Sequence, residues 1–347
     1  MIREYSPADE GAVMELFAAY PYGDLRRYRL VNREKQAAYL LHKLPGCARD
    51  GRVLVAEEGG RIRAIAALRP LPWDSGIFGI AMGHIPLFVH PGAGRGDRSS
   101  IGALIEAILA ACRADGIVHL NVRADADDLA LVHCLEGAGF YLVDTIVTYI
   151  FIPRRQELGH GKYLFKTRLY APEDHDAVLA VADEAYKGFI GRYHADPRLP
   201  REAADRLYRA WAERLLDGGV AETIIVAERK GKVVGFLGYR LKQDLLEATG
   251  VRCVGGGLGG CTQEGFGAYA AIIEEAMREG MHRYDMQDFE TQINNVNIVR
   301  IYQKLNFEYA RAKYTFHAWL GQAPPPGTEP SPRAGGVARP DNAAGRT

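Results

Sequence analysis

The sequence has no excess of charge of either sign and no long apolar run. Its 43 basic and 43 acidic residues cancel, so no overall field attracts the chain to nucleic acid or to an anionic membrane. No apolar run approaches the roughly 20 residues that a membrane-spanning helix needs. We therefore expect a soluble protein that has no nucleic-acid partner and no membrane partner.

Cysteines are also few, and their spacing carries no signal. The chain of 347 residues has five cysteines, an odd number, and none of them forms a CxxC pair or another metal-ligand spacing. Nothing near Met1 has the basic-then-apolar layout of a signal peptide. The sequence predicts a cytoplasmic protein without a metal site.

What the sequence does contain is the same pattern twice. Three pairs of segments correspond: 3–9 with 168–174, 55–66 with 226–237, and 136–140 with 303–307. The length suits about two domains. We predict two tandem copies of one fold, at 1–152 and 166–320. A charged, glycine-containing linker at 153–165 joins them, and a Pro- and Gly-rich tail at 321–347, which has almost no large apolar residue, is expected to be disordered.

Each copy alternates predicted helices and strands. Apolar residues at helical spacing predict helices at 9–19, 101–114, 128–138, 174–188, 201–216, 269–278 and 296–305. Apolar runs predict hairpins at 52–68 and 223–241, a strand pair at 141–152, and single strands at 82–89, 117–122, 251–258 and 282–289. This order indicates an α/β protein with a mixed sheet.

A glycine-rich stretch in the second copy is the first candidate site. Gly255–Gly260 ends a predicted strand, and Thr262–Gly267 leads into the next helix. Glycines let backbone amides approach a ligand closely, and a helix N-terminus favours phosphate. The stretch therefore fits a diphosphate cradle, although a glycine run that only forms a bulge or tight turn fits about as well. It is not a P-loop, because no Gly-Lys-Ser/Thr follows.

The second candidate is the helix that starts after Asn295 and carries Tyr302. Asn295 suits a helix cap, and Tyr302 lies two turns further on the same face. Amphipathic packing explains a tyrosine at this position more often than catalysis does. However, its counterpart in the first copy is Leu135, so packing alone does not require the hydroxyl group.

These motifs resemble those of the GCN5-related N-acetyltransferase (GNAT) family. The family's phosphate motif Gln/Arg-x-x-Gly-x-Gly/Ala matches Thr262–Gly267, with Thr262 in place of Gln or Arg. Its Asn-x-x-Ala-x-x-x-Tyr-x-Lys-x-Gly-Phe pattern matches 295–307, with Ile298 for alanine and Asn306 for glycine. The resemblance covers both copies and implies a mostly antiparallel sheet that splays to admit the pantetheine arm of acetyl-CoA.

The resemblance also implies roles for individual residues. Acetyl-CoA would be bound as co-substrate by Leu258, Gly260, Thr262, Gln263, Gly265, Phe266, Gly267, Ala268 and Asn295. Backbone amides of 258–260 would stabilise the oxyanion, Asn295 would bond the pantetheine arm, and Tyr302 would be the general acid. Cys261 lies beside the cradle, where a helix dipole would lower its pKa, but no local base supports a covalent role.

The general base is open. Many members have a glutamate on the fourth strand, where this chain has Cys253–Gly257. Glu290 is a candidate substitute, with Asp288 and Glu247 behind it. For each of them a solvated surface carboxylate is the more common reading, and a water relay to solvent without a dedicated base is equally admissible.

The first copy departs from the phosphate motif. Alignment places Arg98 opposite Thr262 and Ile101 opposite Gly265, so a side chain should block a diphosphate. We expect a first domain without cofactor, which supplies a wall of the acceptor pocket or covers its neighbour's sheet. Aromatic and basic residues within 171–217 either line that pocket or pack against the first domain: Tyr186, Phe189, Arg192, Tyr193 and His194.

Three functions remain. The leading one is transfer of acetyl to the amine of a small molecule. Segments 72–79, 291–295 and 314–319 resemble tandem members of glycan biosynthesis such as TDP-fucosamine acetyltransferase, which suggests a nucleotide-linked amino sugar. The alternatives are a non-catalytic acyl-CoA-binding or regulatory module, and a tandem acyltransferase with both domains active. The sequence is compatible with a homodimer.

Overall fold

The described residues of the first half form six strands and five helices. The computed structural model describes residues 1–92 and 98–321. The elements of this half are β1 (Ile2–Glu4), α1 (Glu10–Ala19), α2 (Arg33–Asp50), β2 (Arg52–Glu58), β3 (Arg61–Pro70), α3 (Pro72–Phe78), β4 (Met82–Val89), α4 (Arg98–Ala114), β5 (His119–Asp125), α5 (Leu129–Gly137) and β6 (Tyr141–Phe151). The tail expected to be disordered lies, apart from Gly321, outside the described residues.

The second half repeats this order with its own insertions. Its elements are β7 (Lys166–Leu169), α6 (His175–Ala185), α7 (Arg192–Ala195), α8 (Arg201–Leu216), β8 (Thr223–Arg229), β9 (Lys232–Leu241), α9 (Gln243–Thr249), β10 (Cys253–Gly255), β11 (Gly259–Cys261), α10 (Ala268–Gly280), β12 (Met286–Gln292), α11 (Val296–Lys304) and β13 (Glu308–Trp319). None of the described helices is long and apolar enough to cross a bilayer.

The repeat extends to side-chain contacts at the start of each half. Arg3 binds Asp9 at 2.7 Å and Glu57 at 2.8 Å. Arg168 forms the equivalent contacts with Asp174 and Glu228, both at 2.8 Å. Each arginine thereby joins the first strand of its half to a short 3-10 turn and to the first hairpin.

All strands but one in the described part of the chain lie along one continuous sheet that runs through both halves. Its order is β1-β2-β3-β4-β5-β13-β6-β12-β10-β9-β8-β7, and β11 pairs with β9 off this path. The terminal strands are exchanged: β13 of the second half lies beside β5 of the first, and β6 of the first lies beside β12 of the second. The two halves therefore complete each other's sheets.

Three sequence-based expectations are wrong in detail. The segment 141–152 is one strand and not a pair, because the partner of β6 is β13 from the other half. The strand expected at 251–258 is only Cys253–Gly255 (β10), and after a glycine turn β11 begins at Gly259, beyond the expected end. The strand expected from 282 begins at Met286, because 281–283 form a turn after α10.

Helix α2 was not evident from the sequence, because Pro45 and Gly46 look like a helix end. The structure continues the helix through Pro45. Asn32 caps its first turn by accepting a hydrogen bond from the Lys35 amide at 2.9 Å. Four residues at helical spacing, Ala37, Leu40, Leu44 and Cys47, are buried against β2 and β3. This buried face outweighs the cost of the proline.

Candidate active-site cleft

The sheet of the second half opens at the glycine stretch. β10 pairs with both β9 and β12, whereas β11 pairs with β9 alone. Gly256 and Gly257 between them have φ of 70° and 89°, and a Cβ on Gly257 would lie 1.7 Å from the Gly238 carbonyl oxygen. These glycines are required by the turn that separates the strands, and that turn leaves one edge of β11 unpaired with another strand.

The register of β11 decides which backbone groups face this open edge. The Gly238 amide donates to the Leu258 carbonyl, and the Thr262 amide donates to the Val234 carbonyl, both at 2.9 Å. Because backbone groups alternate along an antiparallel pair, the amides of Gly259 and Cys261 turn to the open side, whereas Gly260 faces β9. The oxyanion role expected for 258–260 therefore suits Gly259 and Cys261 best.

The loop before α10 has a compact internal structure. The Gly265 amide donates to the Thr262 carbonyl at 3.0 Å and to its hydroxyl at 3.1 Å. A Cβ on Gly265 would lie 2.3 Å from the Val234 carbonyl oxygen, so glycine is required by packing against β9. Gly267 has a φ of 90° at the N-cap of α10. The Gly265 amide is thus used inside the loop and is not presented to the cleft.

One amide of this loop already binds an anionic oxygen. The Gln263 amide donates to a carboxylate oxygen of Glu184, on α6, at 2.7 Å. Three cationic side chains line the same cleft without an acidic ion-pair partner among the described residues: Lys162, Arg300 and Lys304. The loop and its surroundings therefore suit a phosphate group.

Tyr302 lies at the floor of the cleft and is 1% exposed. Its ring stacks on Phe289 with centroids 6.2 Å apart, and its hydroxyl is in hydrogen-bonding contact with Tyr269. Burial, followed by the proximity of Tyr269, raises the pKa of Tyr302 well above its usual value of 10. The hydroxyl therefore stays protonated at neutral pH and can donate.

Tyr269 is a site residue that no motif indicates. It lies in the first turn of α10 and lines the cleft beside Gly259. Burial raises its pKa to a value far above the usual 10. Cys261 lies nearby. The expectation that its thiol has a lowered pKa is wrong, because burial raises this pKa to about 12. It is not an activated nucleophile.

Asn295 and Glu290 flank the other side of the cleft. Asn295 occupies the N-cap of α11, but its side chain donates to the Thr291 hydroxyl at 3.1 Å and does not cap the helix. Glu290 accepts from the Thr148 hydroxyl at 3.1 Å and from Arg311 at 3.3 Å. Burial opposes its ionisation, but the charges of Arg123 and Arg311 outweigh burial and lower the pKa of Glu290 to about 2.

The other two candidate bases lie apart from the cleft lining. Asp288 is buried, and its carboxylate accepts hydrogen bonds from Lys242 at 2.6 Å and from the Tyr28 hydroxyl. Glu247 forms an ion pair with His42 at 3.3 Å and is half exposed. Of the three carboxylates, Glu290 alone lines the cleft.

The predicted site residues mostly converge on one cavity of about 1230 Å³. Those that line it are Leu258, Gly260, Thr262, Phe266, Gly267, Glu290, Asn295 and Tyr302. Gln263, Gly265 and Ala268 lie in the loop and first helical turn behind this lining. The predicted linker contributes as well, because residues 162–165 line the cleft. The linker is held against α10 by the Gly161 amide, which donates to Glu274 at 3.1 Å.

One end of the cavity is lined by aromatic rings. The rings of Tyr186 and Tyr208 stack with centroids 4.5 Å apart, and Phe189 meets Tyr208 edge-on at 5.2 Å. Tyr193 also lines this end, and its hydroxyl bonds Asp74 of the first half. Of the five residues expected either to line a pocket or to pack against the first half, all but His194 line the cavity, and Tyr193 does both.

Two arginines give this end a positive charge. Arg123 comes from β5 of the first half, and Arg192 from α7 of the second. Burial and the nearby charge of Arg192 lower the pKa of Arg123. Glu290 lies 3.6 Å from Arg123, but the Nε of Arg123 is buried without a hydrogen-bond partner among the described residues. The unpaired N–H group of Arg123, close to the positive charge of Arg192, favours binding of an anionic group of a ligand.

Among the described residues of the first half, those aligned with the phosphate loop of the second half are helical. Ile101 lies inside α4 and is fully buried in the core of that half. Helix α4 starts at Arg98, opposite Thr262, more than one turn earlier than α10 starts in the second half. A helical backbone with a buried isoleucine therefore occupies the place where the second half forms its loop.

Comparison with known proteins supports the fold. No protein family model matches the chain. The chain is 24% identical over 268 residues to the spore coat polysaccharide biosynthesis protein SpsD of Bacillus subtilis. The aligned region covers 76% of this chain and 87% of SpsD.

Two solved structures resemble almost the whole chain. A GCN5-related N-acetyltransferase from Sphaerobacter thermophilus has a TM-score of 0.60 and 14% identity, covering 93% of this chain and 96% of its own. A tandem GNAT protein from the clavulanic acid biosynthesis pathway has a TM-score of 0.54 and 13% identity, covering 93% and 99%. The GNAT fold and its tandem arrangement, expected from the sequence, are confirmed.

Proposed function

We propose that the chain is an acetyl-CoA-dependent N-acetyltransferase that acetylates a primary amine of a small molecule. One observation carries the proposal most: the unpaired edge of β11, the loop before α10 and the Tyr302 hydroxyl meet in a single cleft. The cleft therefore provides groups that can bind the pantetheine arm and the phosphates of the coenzyme, and a hydroxyl that can donate a proton. The first half is proposed to bind no coenzyme.

The cleft has groups that match both the phosphates and the thioester of acetyl-CoA. When bound, the coenzyme supplies an acetyl thioester that an amine can attack directly. We assign its phosphates to the loop at 262–268, because the Gln263 amide accommodates an anionic oxygen and unpaired cations lie nearby. We assign the thioester oxygen to the amides of Gly259 and Cys261, which turn to the open edge. Asn295 is assigned to the pantetheine arm.

Tyr302 is proposed to donate a proton to the leaving sulfur. Its hydroxyl is protonated at neutral pH because its pKa is raised, and it lies at the floor of the cleft. The proton that the hydroxyl donates is replaced from water in the cleft that Tyr302 lines. A phenylalanine would fill the same volume between Phe289 and Tyr149, so the hydroxyl is the group that needs a chemical reason.

Glu290 is proposed to orient the acceptor rather than to act as its base. A carboxylate whose pKa is about 2 is a weak base at neutral pH, because an effective base has a pKa near the working pH. Its negative charge attracts an ammonium group and keeps Arg123 and Arg311 in place. The amine then loses its proton to water in the cleft.

The acceptor is proposed to be a nucleotide-linked amino sugar. The aromatic rings of Tyr186, Phe189 and Tyr208 suit a base or a sugar face, and Arg123 and Arg192 suit a diphosphate. The curated relative named above is a polysaccharide biosynthesis protein, which is consistent with an activated sugar.

The direct test is release of free CoA thiol from acetyl-CoA in the presence of a panel of amines. The panel should contain amino sugars with and without a nucleoside diphosphate. We expect turnover with at least one nucleotide-linked amine and much weaker turnover with the free sugar. Acetyl-CoA binding without turnover across the panel would instead support a non-catalytic binding module.

A further inference from the structure

Three side chains far apart in the sequence form a buried polar cluster outside the cleft. They are His119 on β5, Asp196 just after α7, and His317 on β13. One ligand atom of each lies within 4.8 Å of those of the others. The side chains of all three are 0% exposed. Sequence spacing gave no hint of the cluster, because the exchange of β13 into the first half brings His317 beside β5.

The cluster is incompletely hydrogen-bonded. Nδ1 of His317 lies 2.8 Å from Oδ2 of Asp196, and Nε2 of His119 lies 3.5 Å from the same oxygen. Both ring nitrogens of His119 and Nε2 of His317 are buried without a hydrogen-bond partner among the described residues. Buried polar atoms without partners are rare and costly, so these nitrogens indicate a missing ligand.

The surroundings hold the cluster in place. Trp319 donates from its indole nitrogen to Oδ2 of Asp196 at 3.1 Å, and the Arg198 amide donates to Oδ1 at 3.0 Å. Such outer hydrogen bonds typically orient metal-binding carboxylates.

We propose that His119, Asp196 and His317 bind a divalent transition-metal ion, zinc by its ligand chemistry. Two imidazoles and one carboxylate are a typical zinc set, with bonds of about 2.0 Å and ligand atoms about 3.3 Å apart. The separations of 2.8 and 3.5 Å bracket this value. A further neighbour is Tyr141, whose hydroxyl accepts from Trp319 at 2.9 Å, and the fourth position of the ion falls to this hydroxyl or to a water.

The ion would join three segments that only the tertiary fold brings together. It would connect β5 of the first half and the exchanged strand β13 to the segment after α7. Tyr193 on α7 lies between the cluster and the cleft, with its ring centroid 5.9 Å from that of His317. A metal there would therefore stabilise the strand exchange and the aromatic end of the cleft, without contact with the proposed reaction.

Elemental analysis of the untagged full-length protein, purified without metal-affinity resin, tests the proposal. We expect about one zinc per chain. A chelator should lower the melting temperature, and added zinc should restore it. His317→Gln and His119→Gln should lose the metal. Trp319→Phe should weaken zinc binding by about 10- to 100-fold, as loss of an outer hydrogen bond does elsewhere.

His84→Gln is the matched control. His84 lies on β4, on the same side of the sheet, but bonds Asn121 at 2.6 Å and is not part of the cluster. This variant should keep its zinc. If His119→Gln or His317→Gln fails to fold, cobalt substitution of the wild type gives the answer, because a site of nitrogen and oxygen ligands binds cobalt without a thiolate absorption band. A metal-free wild type whose melting temperature zinc does not change would overturn the proposal, as would full zinc content in both glutamine variants.

Discussion

Glu290 accepts a hydrogen bond from Thr148 at 3.1 Å, and this contact crosses from one half of the chain to the other. Thr148 belongs to β6, the strand that the first half places beside β12. Arg311 joins the pair from β13 at 3.3 Å and reaches Asp24 of the first half at 2.7 Å. The cleft of the second half is thus held in shape by the first.

The strand exchange predicts that the second half does not fold alone. A fragment of 153–321 would lack β6, which pairs with β12 and β13, and β5, which pairs with the other edge of β13. It would expose one edge of β12 and both edges of β13, which favours aggregation. We expect the fragment to be insoluble, and co-expression with 1–152 to yield a soluble complex on size-exclusion chromatography. A folded fragment that binds acetyl-CoA by itself would refute the dependence.

Tyr302→Phe should lower kcat by about 100-fold or more, the usual range for loss of a general acid. The dissociation constant of acetyl-CoA should not change, because the ring keeps its packing. Tyr149→Phe is the matched control, since the centroid of that ring lies 5.4 Å from that of Tyr302 but Tyr149 does not line the cleft. Equal kcat values for wild type and Tyr302→Phe would remove the hydroxyl from the mechanism.

Glu184→Gln should strengthen binding of acetyl-CoA. The Glu184 carboxylate accepts from the Gln263 amide at 2.7 Å, where it competes with a phosphate and repels it. We expect a gain of about 3- to 10-fold, in line with exposed charge pairs of roughly 1 kcal/mol, measured by calorimetry. Asp183→Asn on the same helix makes the same charge change, but Asp183 binds Arg209, so it should leave the affinity unaltered. A weaker complex with Glu184→Gln would contradict this role.

Glu290 should contribute to stability in a defined pH window. Its pKa falls from the ordinary 4.5 to about 2 in the folded chain, so the unfolded chain takes up this proton first as the pH falls. The contribution is complete above pH 4.5 and is lost toward pH 2. The difference in unfolding free energy between wild type and Glu290→Gln should therefore be smaller at about pH 3 than near neutrality.

Denaturant titrations of both proteins at the two pH values provide the measurement. Glu290→Gln should also leave the acidic limb of the kcat/KM profile in place, because a group with so low a pKa does not set that limb. Disappearance of an acidic limb in this variant would restore Glu290 as the base.

Local patterns in the sequence predicted most single elements and the cleft. The glycine motif and the Asn295–Tyr302 spacing predicted groups that do meet in one cavity, because both lie on segments adjacent in the fold. The strand exchange was not predictable, since apolar alternation in β6 does not say which strand pairs with it. For the same reason Arg123 was not evident, because it enters the cleft from the other half.

The most direct test of the account is a calorimetric titration of the full-length chain with acetyl-CoA. We predict one site per chain, because the loop at 262–268 suits phosphate and the aligned position of the first half holds the buried Ile101 inside a helix. Two sites per chain, or none, would contradict it.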